Sequence, residues 1–211
     1  MSKNPKQELV DAVENITSKA KKDIMSFDNV NNWANDKQMI FRMYLVNFYA
    51  HIEGCVKNIS LEYIQYLHQI AKYKPYKLIT HFHYIVKNQS NAKWVRWMKK
   101  LRPKHYRDKD ISKTLIDTLN NLNYEILEQI LFILNIHENN YIDFKNILDD
   151  LVSKRHDIAH GNIKTYNKFI ITEAEILKYK ELALNLINQF SNDIISSIDS
   201  VIIENSNTNK K

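Results

Sequence analysis

Apolar residues recur three and four positions apart along most of this chain, and that period predicts helices almost throughout. Leu9, Val13, Ile16, Ala20 and Ile24 mark a first helix over residues 5–26. Beyond the polar patch FDNVNNWANDK, the positions Met39, Met43, Val46, Ala50, Val56, Ile59, Tyr63, Leu67 and Ile70 keep one stripe from Gln38 to about Ala71. We expect one long helix there, or two consecutive ones, ended by Pro75. Gly54 sits inside that stretch at a cost of about 1 kcal/mol relative to Ala, which makes it a candidate point of close backbone contact. Residues 76–110 are harder to divide. HFHYIV within them suits a strand or a helical turn, and with no β partner nearby it reads as helix. Ile111–Leu122 and Tyr124–Leu134 read as two short helices, NIHENN as a polar loop, and Asp143 to about His160 as a further helix. Thr172 and Glu175 form a capping box that opens a long last helix running to about Ile203. The tail, residues 204–211, is expected to be disordered. The fold class is therefore all-α, a helical bundle forming a single domain over residues 1–203.

Composition agrees with this pattern. Two Gly and three Pro in 211 residues leave few sharp turns, and 44% hydrophobic residues can fill one sizeable core. One cysteine, Cys55, allows no intramolecular disulfide and no CxxC metal pair, as expected of a reducing, cytoplasmic setting. The N-terminus lacks the apolar region of a signal peptide and no run reaches a membrane span, so no membrane association is expected. The net charge of +6 matters mainly through its distribution. KWVRWMKKLRPKHYRDK, residues 93–109, interleaves Arg96, Lys99, Lys100 and Arg102 with Trp94, Trp97 and Tyr106. Cations alternating with stacking rings suit a polyanion with exposed bases. A solvated basic helix with its tryptophans in the core would carry the same pattern.

The most polar segment of the later helices is RHDIAHGN, residues 155–162. Its helix carries Phe144, Ile147, Leu148, Leu151 and Val152 on one stripe, and Arg155 is the next position of that stripe. A core-facing guanidinium requires an acid, another subunit or a phosphate. His156 and His160 are four apart and share a face, whereas Arg155 and His160 are about 140° apart on an ideal helix. One straight helix does not aim both at one group. Two copies packed about a two-fold axis would bring both pairs into one cleft, which predicts a homodimer.

HDIAH looks like a zincin H-E-x-x-H with Asp in place of Glu, but Asp is one methylene short and no third ligand is evident. It is also similar to the His-Asp core of HD-domain phosphohydrolases, which are metal-dependent. That family carries apolar residues before its His-Asp, where this chain has Lys154 and Arg155, and it needs an upstream helical His and a downstream Asp; His137 lies in a loop, though Asp193 could serve.

LVSKRHDIAHGN resembles the R-x4-H signature of the HEPN superfamily, with Arg155 and His160 as the pair. VNFYAHIEGCVKNISLEYIQYL looks like a long early helix of that superfamily's bacterial defence-associated branch, and ILEQILFILNI like the segment preceding the signature. The resemblance covers roughly residues 38–203, with residues 93–109 as a basic insertion. Where the family most often has Asn after the arginine, this chain has His156; an imidazole can replace the amide as donor. Where some HEPN toxins carry a tyrosine two residues after the histidine, it has Asn162, so nucleotidylation control by an antitoxin is not implied.

The resemblance implies a metal-independent endoribonuclease requiring no cofactor, a toxin or antiviral-defence effector with RNA as substrate and an antitoxin or defence-system protein as possible partner. The residue types suit that chemistry. Attack by the RNA 2′-OH needs a base, an acid for the departing 5′-oxygen and a cation for the charged phosphorane; histidine supplies the first two and arginine the third. In a two-fold cleft, His160 of one copy would act as base and His160 of the other as acid. Asp157, three residues before His160, is placed to orient its imidazole or to stand as a plain surface carboxylate. Glu53 is a candidate partner for Arg155. A HEPN-like dimer that binds RNA, nucleotide or a protein without cutting, with Arg155 locked in an ion pair, is the alternative.

Overall fold

The computed structural model describes residues 4–26, 37–70, 116, 118, 121–134, 136–161 and 170–208. Helix α1 spans Pro5–Ser26 and buries Leu9, Val13, Thr17, Ala20 and Ile24, the stripe anticipated from the sequence with Thr17 in place of Ile16. Pro5 stands at the first helical position, where its missing N–H costs nothing. Helix α2 is one uninterrupted element, Lys37–Ile70. It packs against α1 along much of its length. Gly54, within it, is not a close-contact point: a Cβ there would meet nothing within 4 Å.

Helix α3 spans Tyr124–Ile133 and is capped by Asn123, whose Oδ1 accepts the Ile126 amide at 2.9 Å. The helix expected over Ile111–Leu122 is not present at its described residues. Ile116 lies in a bend and Asn121–Asn123 are irregular, because this asparagine-rich run caps the next helix instead. A 3₁₀ helix, Glu138–Phe144, takes up part of the expected polar loop and leads directly into helix α4, Lys145–Ala159. Helix α5 spans Glu173–Thr208, continuing past the expected end near Ile203. Its capping box is present: Thr172 Oγ1 accepts the Glu175 amide at 3.2 Å, and Glu175 Oε2 accepts the Thr172 amide at 2.9 Å. Among the described residues every regular element is helical.

One core joins these elements. Leu45, Phe48, Ile52 and Ile59 of α2 meet Leu182, Leu186, Phe190 and Ile194 of α5, while Leu148, Leu151 and Val152 of α4 close one side. Thr17 and Ser191, both buried, share a hydrogen bond of 2.6 Å between α1 and α5. Two contacts tie the entry of α5 to its neighbours. Gln38 exchanges two hydrogen bonds of 2.9 Å with the Ile171 backbone, which ties the start of α2 to the entry of α5. Lys154 of α4 then donates to Glu175 Oε1 at 2.8 Å and to the Tyr179 hydroxyl at 2.6 Å, both on α5, and pairs with Asp150 at 3.2 Å. Burial works against the Lys154 ammonium, but these partners outweigh it and its pKa is raised. The Lys154 hydrogen bond and the Thr172 amide hold the Glu175 carboxyl down at about 2.

Candidate active site at the end of helix α4

Helix α4 buries Leu148, Leu151 and Val152 and then emerges from the core, so its last turn is accessible on one side. It stops at His160, whose amide still bonds to the His156 carbonyl at 3.0 Å. Gly161 follows at φ +57°, a left-handed conformation that ends the helix and that a side chain would strain. His156 and His160 are both exposed, and their rings lie 4.2 Å apart between centroids at 49°. This is the shared face that the i, i+4 spacing predicts.

Arg155 points elsewhere. It is half-buried, and its guanidinium carbon sits 4.7 Å from the centroid of the Tyr49 ring on α2, in cation–π range. Tyr49 is itself buried and tied down: the Leu122 backbone N–H donates to its hydroxyl at 2.6 Å. Burial pushes the phenol up to about 12, with the nearby Glu53 carboxylate adding to that effect. Glu53, one turn after Tyr49, has a buried Oε1 with no hydrogen-bond partner. Among the described residues Arg155 forms no ion pair, with Glu53 or any other acid. The ring of Tyr49 takes the place expected for a carboxylate.

Asp157 does not bond to His160. It lines, with His156, a cavity of about 360 Å³ whose other wall is the start of α3, including Asn121, Asn123 and Glu125. No metal site is assembled here: among the described residues no three His, Cys, Asp or Glu side chains converge as ligands. The basic residues Arg96, Lys99, Lys100 and Arg102 lie outside the described residues. Cys55 is buried, and burial pushes its thiol up to about 12, which makes it a packing residue and not a nucleophile.

A protein-family model described as RiboL-PSP-HEPN matches residues 4–196. The chain belongs to the HEPN superfamily. No curated protein and no solved structure matches it. The match covers every helix of the bundle except the end of α5, so the all-α HEPN domain is the fold described above. Membership points to a ribonuclease-type or nucleotide-binding function. Among the described residues, no helix of this HEPN protein is long and apolar enough to cross a membrane.

Sequence reasoning missed Tyr49 as a site residue. Its spacing from Glu53, i to i+4 on one helix, was a usable signal, since whatever Glu53 faces Tyr49 faces too. The cavity wall at Asn121–Glu125 had no signal within the motif. It comes from a separate element and meets α4 only in three dimensions.

Proposed function

We propose that this HEPN protein is a metal-independent endoribonuclease that cuts RNA by 2′-OH attack, at a composite site formed by two copies of the chain. In this reading Arg155 holds the scissile phosphate and His160 supplies the base and, from the second copy, the acid. His156 acts as an additional donor beside it. Arg96, Lys99, Lys100 and Arg102 guide the RNA backbone, and the protein serves in the cytoplasm as a toxin or antiviral-defence effector restrained by a partner protein.

The observation that carries this reading is the state of Arg155. Its charge rests on the neutral face of Tyr49 with no acid paired to it among the described residues, so it can offer its planar fork to a phosphate. The non-cutting alternative relies on an Arg155 locked in an ion pair, and among the described residues Arg155 has no such pair. An HD-type hydrolase would need Asp193 as a ligand, yet this carboxylate accepts from the Tyr141 hydroxyl at 2.9 Å and from Gln189 at 3.1 Å.

Incubating purified protein with total RNA tests the proposal. Cleavage should persist in EDTA and vanish with Arg155→Ala. Loss of cleavage on chelation would return the site to a metal-dependent class.

A further inference from the structure

Acid–base work at His160 needs one imidazole from each copy of the chain and does not need a second ring held against it. We infer that His156 and His160 form a two-nitrogen chelate for a late first-row divalent ion, Zn²⁺ above all, and that an ion seated there shuts the site. The chelate itself stands on geometry; its effect on cleavage rests on the ribonuclease proposal above. The two rings lie 4.2 Å apart between centroids, tilted by 49°, and both side chains are exposed. Zinc–imidazole bonds are about 2.0–2.1 Å long and a ring nitrogen lies about 1 Å from its own centroid, so two rings on one ion have centroids roughly 4.5–5 Å apart. Small side-chain rotations close that difference, and the backbone need not move. The His160 amide bonds to the His156 carbonyl at 3.0 Å, which holds both residues in one helical turn, and the chain diverges only at Gly161. The same i, i+4 spacing lets two helix histidines share a zinc ion in H-E-x-x-H metalloproteases.

The surroundings favour a cation. Neither imidazole has a hydrogen bond or ion pair among the described residues, so the lone pairs are open to a ligand. The pair stands at the C-terminal end of α4, where the helix dipole is negative. Asp149 and Asp157 line the cavity beside His156, while the Arg155 guanidinium rests on Tyr49. A resident metal centre uses three or four protein ligands, and among the described residues no third His, Cys, Asp or Glu converges here. The ion therefore keeps water in its remaining positions and exchanges with solution, acting as an inhibitor and not as a structural part. Imidazole ligands select zinc, nickel and copper, whereas magnesium and calcium prefer oxygen. A neutral imidazole has one lone pair on its ring nitrogens, and it is this pair that takes the 2′-OH proton. An ion bonded to His160 occupies it, so the hydroxyl keeps its proton and does not attack.

Calorimetric titration of Zn²⁺ into the metal-free full-length protein tests the chelate without any RNA. Wild type should take up one ion per chain at a site that His156→Ala and His160→Ala each weaken about 10-fold or more, since losing even an outer-shell partner of a metal ligand costs that much. Melting curves establish that both variants fold. Ni²⁺ should fill the same site and Mg²⁺ should not. Wild-type cleavage should fall to roughly one tenth when free Zn²⁺ is about ten times the measured Kd, and return when EDTA removes the ion. Equal Zn²⁺ affinity in wild type and both folded variants would put the ion on other histidines of the chain; it overturns the chelate and leaves the ribonuclease proposal standing. Cleavage at full rate with the site filled overturns the inhibition. A chelate on a protein that cuts no RNA, with EDTA or without it, sinks the ribonuclease proposal and leaves the metal site.

Discussion

Replacing Tyr49 by Phe removes one oxygen and keeps the ring under Arg155. That oxygen accepts the Leu122 amide at 2.6 Å in a buried setting, and among the described residues this N–H has no other acceptor. Leaving it unsatisfied costs about 1–3 kcal/mol, which for a domain of this size lowers the melting temperature by about 2–12 °C. Well below that temperature, RNA cleavage by Tyr49→Phe should stay near the wild-type rate because the guanidinium still has its platform. Tyr49→Leu removes the platform too and gives up a further 0.5–2 kcal/mol or so of cation–π attraction, so Arg155 loses its orientation and cleavage falls well beyond what stability explains. Melting curves by circular dichroism and initial cleavage rates at 25 °C, measured on both variants, separate the two effects. If Tyr49→Phe melts with the wild type, the hydroxyl contributes nothing. If Tyr49→Leu cuts as fast as Tyr49→Phe, the ring does not hold Arg155.

Gly161→Ala should destabilise the protein by about 1–2 kcal/mol, the cost of a left-handed conformation for a residue with a Cβ, and should displace the end of α4; a melting temperature equal to wild type would show that the chain ends the helix another way. Stability should also depend on pH through Glu175. Its carboxyl is held at about 2 in the folded protein against a usual value near 4.5, so the Lys154–Glu175 contact stabilises fully above the unfolded value and is lost as pH falls from about 4.5 toward 2. The pair is partly exposed, 16% for Lys154 and 34% for Glu175, so solvent screening holds the effect to about 1 kcal/mol. In urea melts the stability gap between wild type and Glu175→Gln should therefore be smaller at pH 3 than at pH 6 without closing fully, and a constant difference would refute the assignment.

Periodicity made the existence of α1, α2 and α5 legible, but over the first half of α2 it picked the wrong stripe: Met39, Met43, Val46 and Ala50 are exposed, and Phe41, Leu45, Phe48 and Ile52 are the buried positions, because that half is apolar on more than one side. Caps were legible where side-chain chemistry is local, as at Thr172 and Glu175. They were misread at Asn121–Asn123, where apolar neighbours suggested a helix running up to Leu122 and the asparagines instead open the next one. Gly54 shows the limit of arguing from a helix breaker: its tolerance has no packing cause within 4 Å. At the site, spacing placed His156 and His160 together, because both belong to one helix. Spacing within one helix could not show what Arg155 meets, for its partner is a residue of α2 that any stripe reading counts simply as core.

Whether Arg155 and His160 cut RNA is decided by sequencing the 5′-OH ends left in total RNA after incubation with wild type and with His160→Ala. His160 is an exposed residue at the end of α4, so the variant should keep its fold and its melting temperature. Abundant new 5′-OH ends are expected with the wild type and none above background with the folded variant. Equal ends from both would contradict it and leave the motif a structural feature of the helix end.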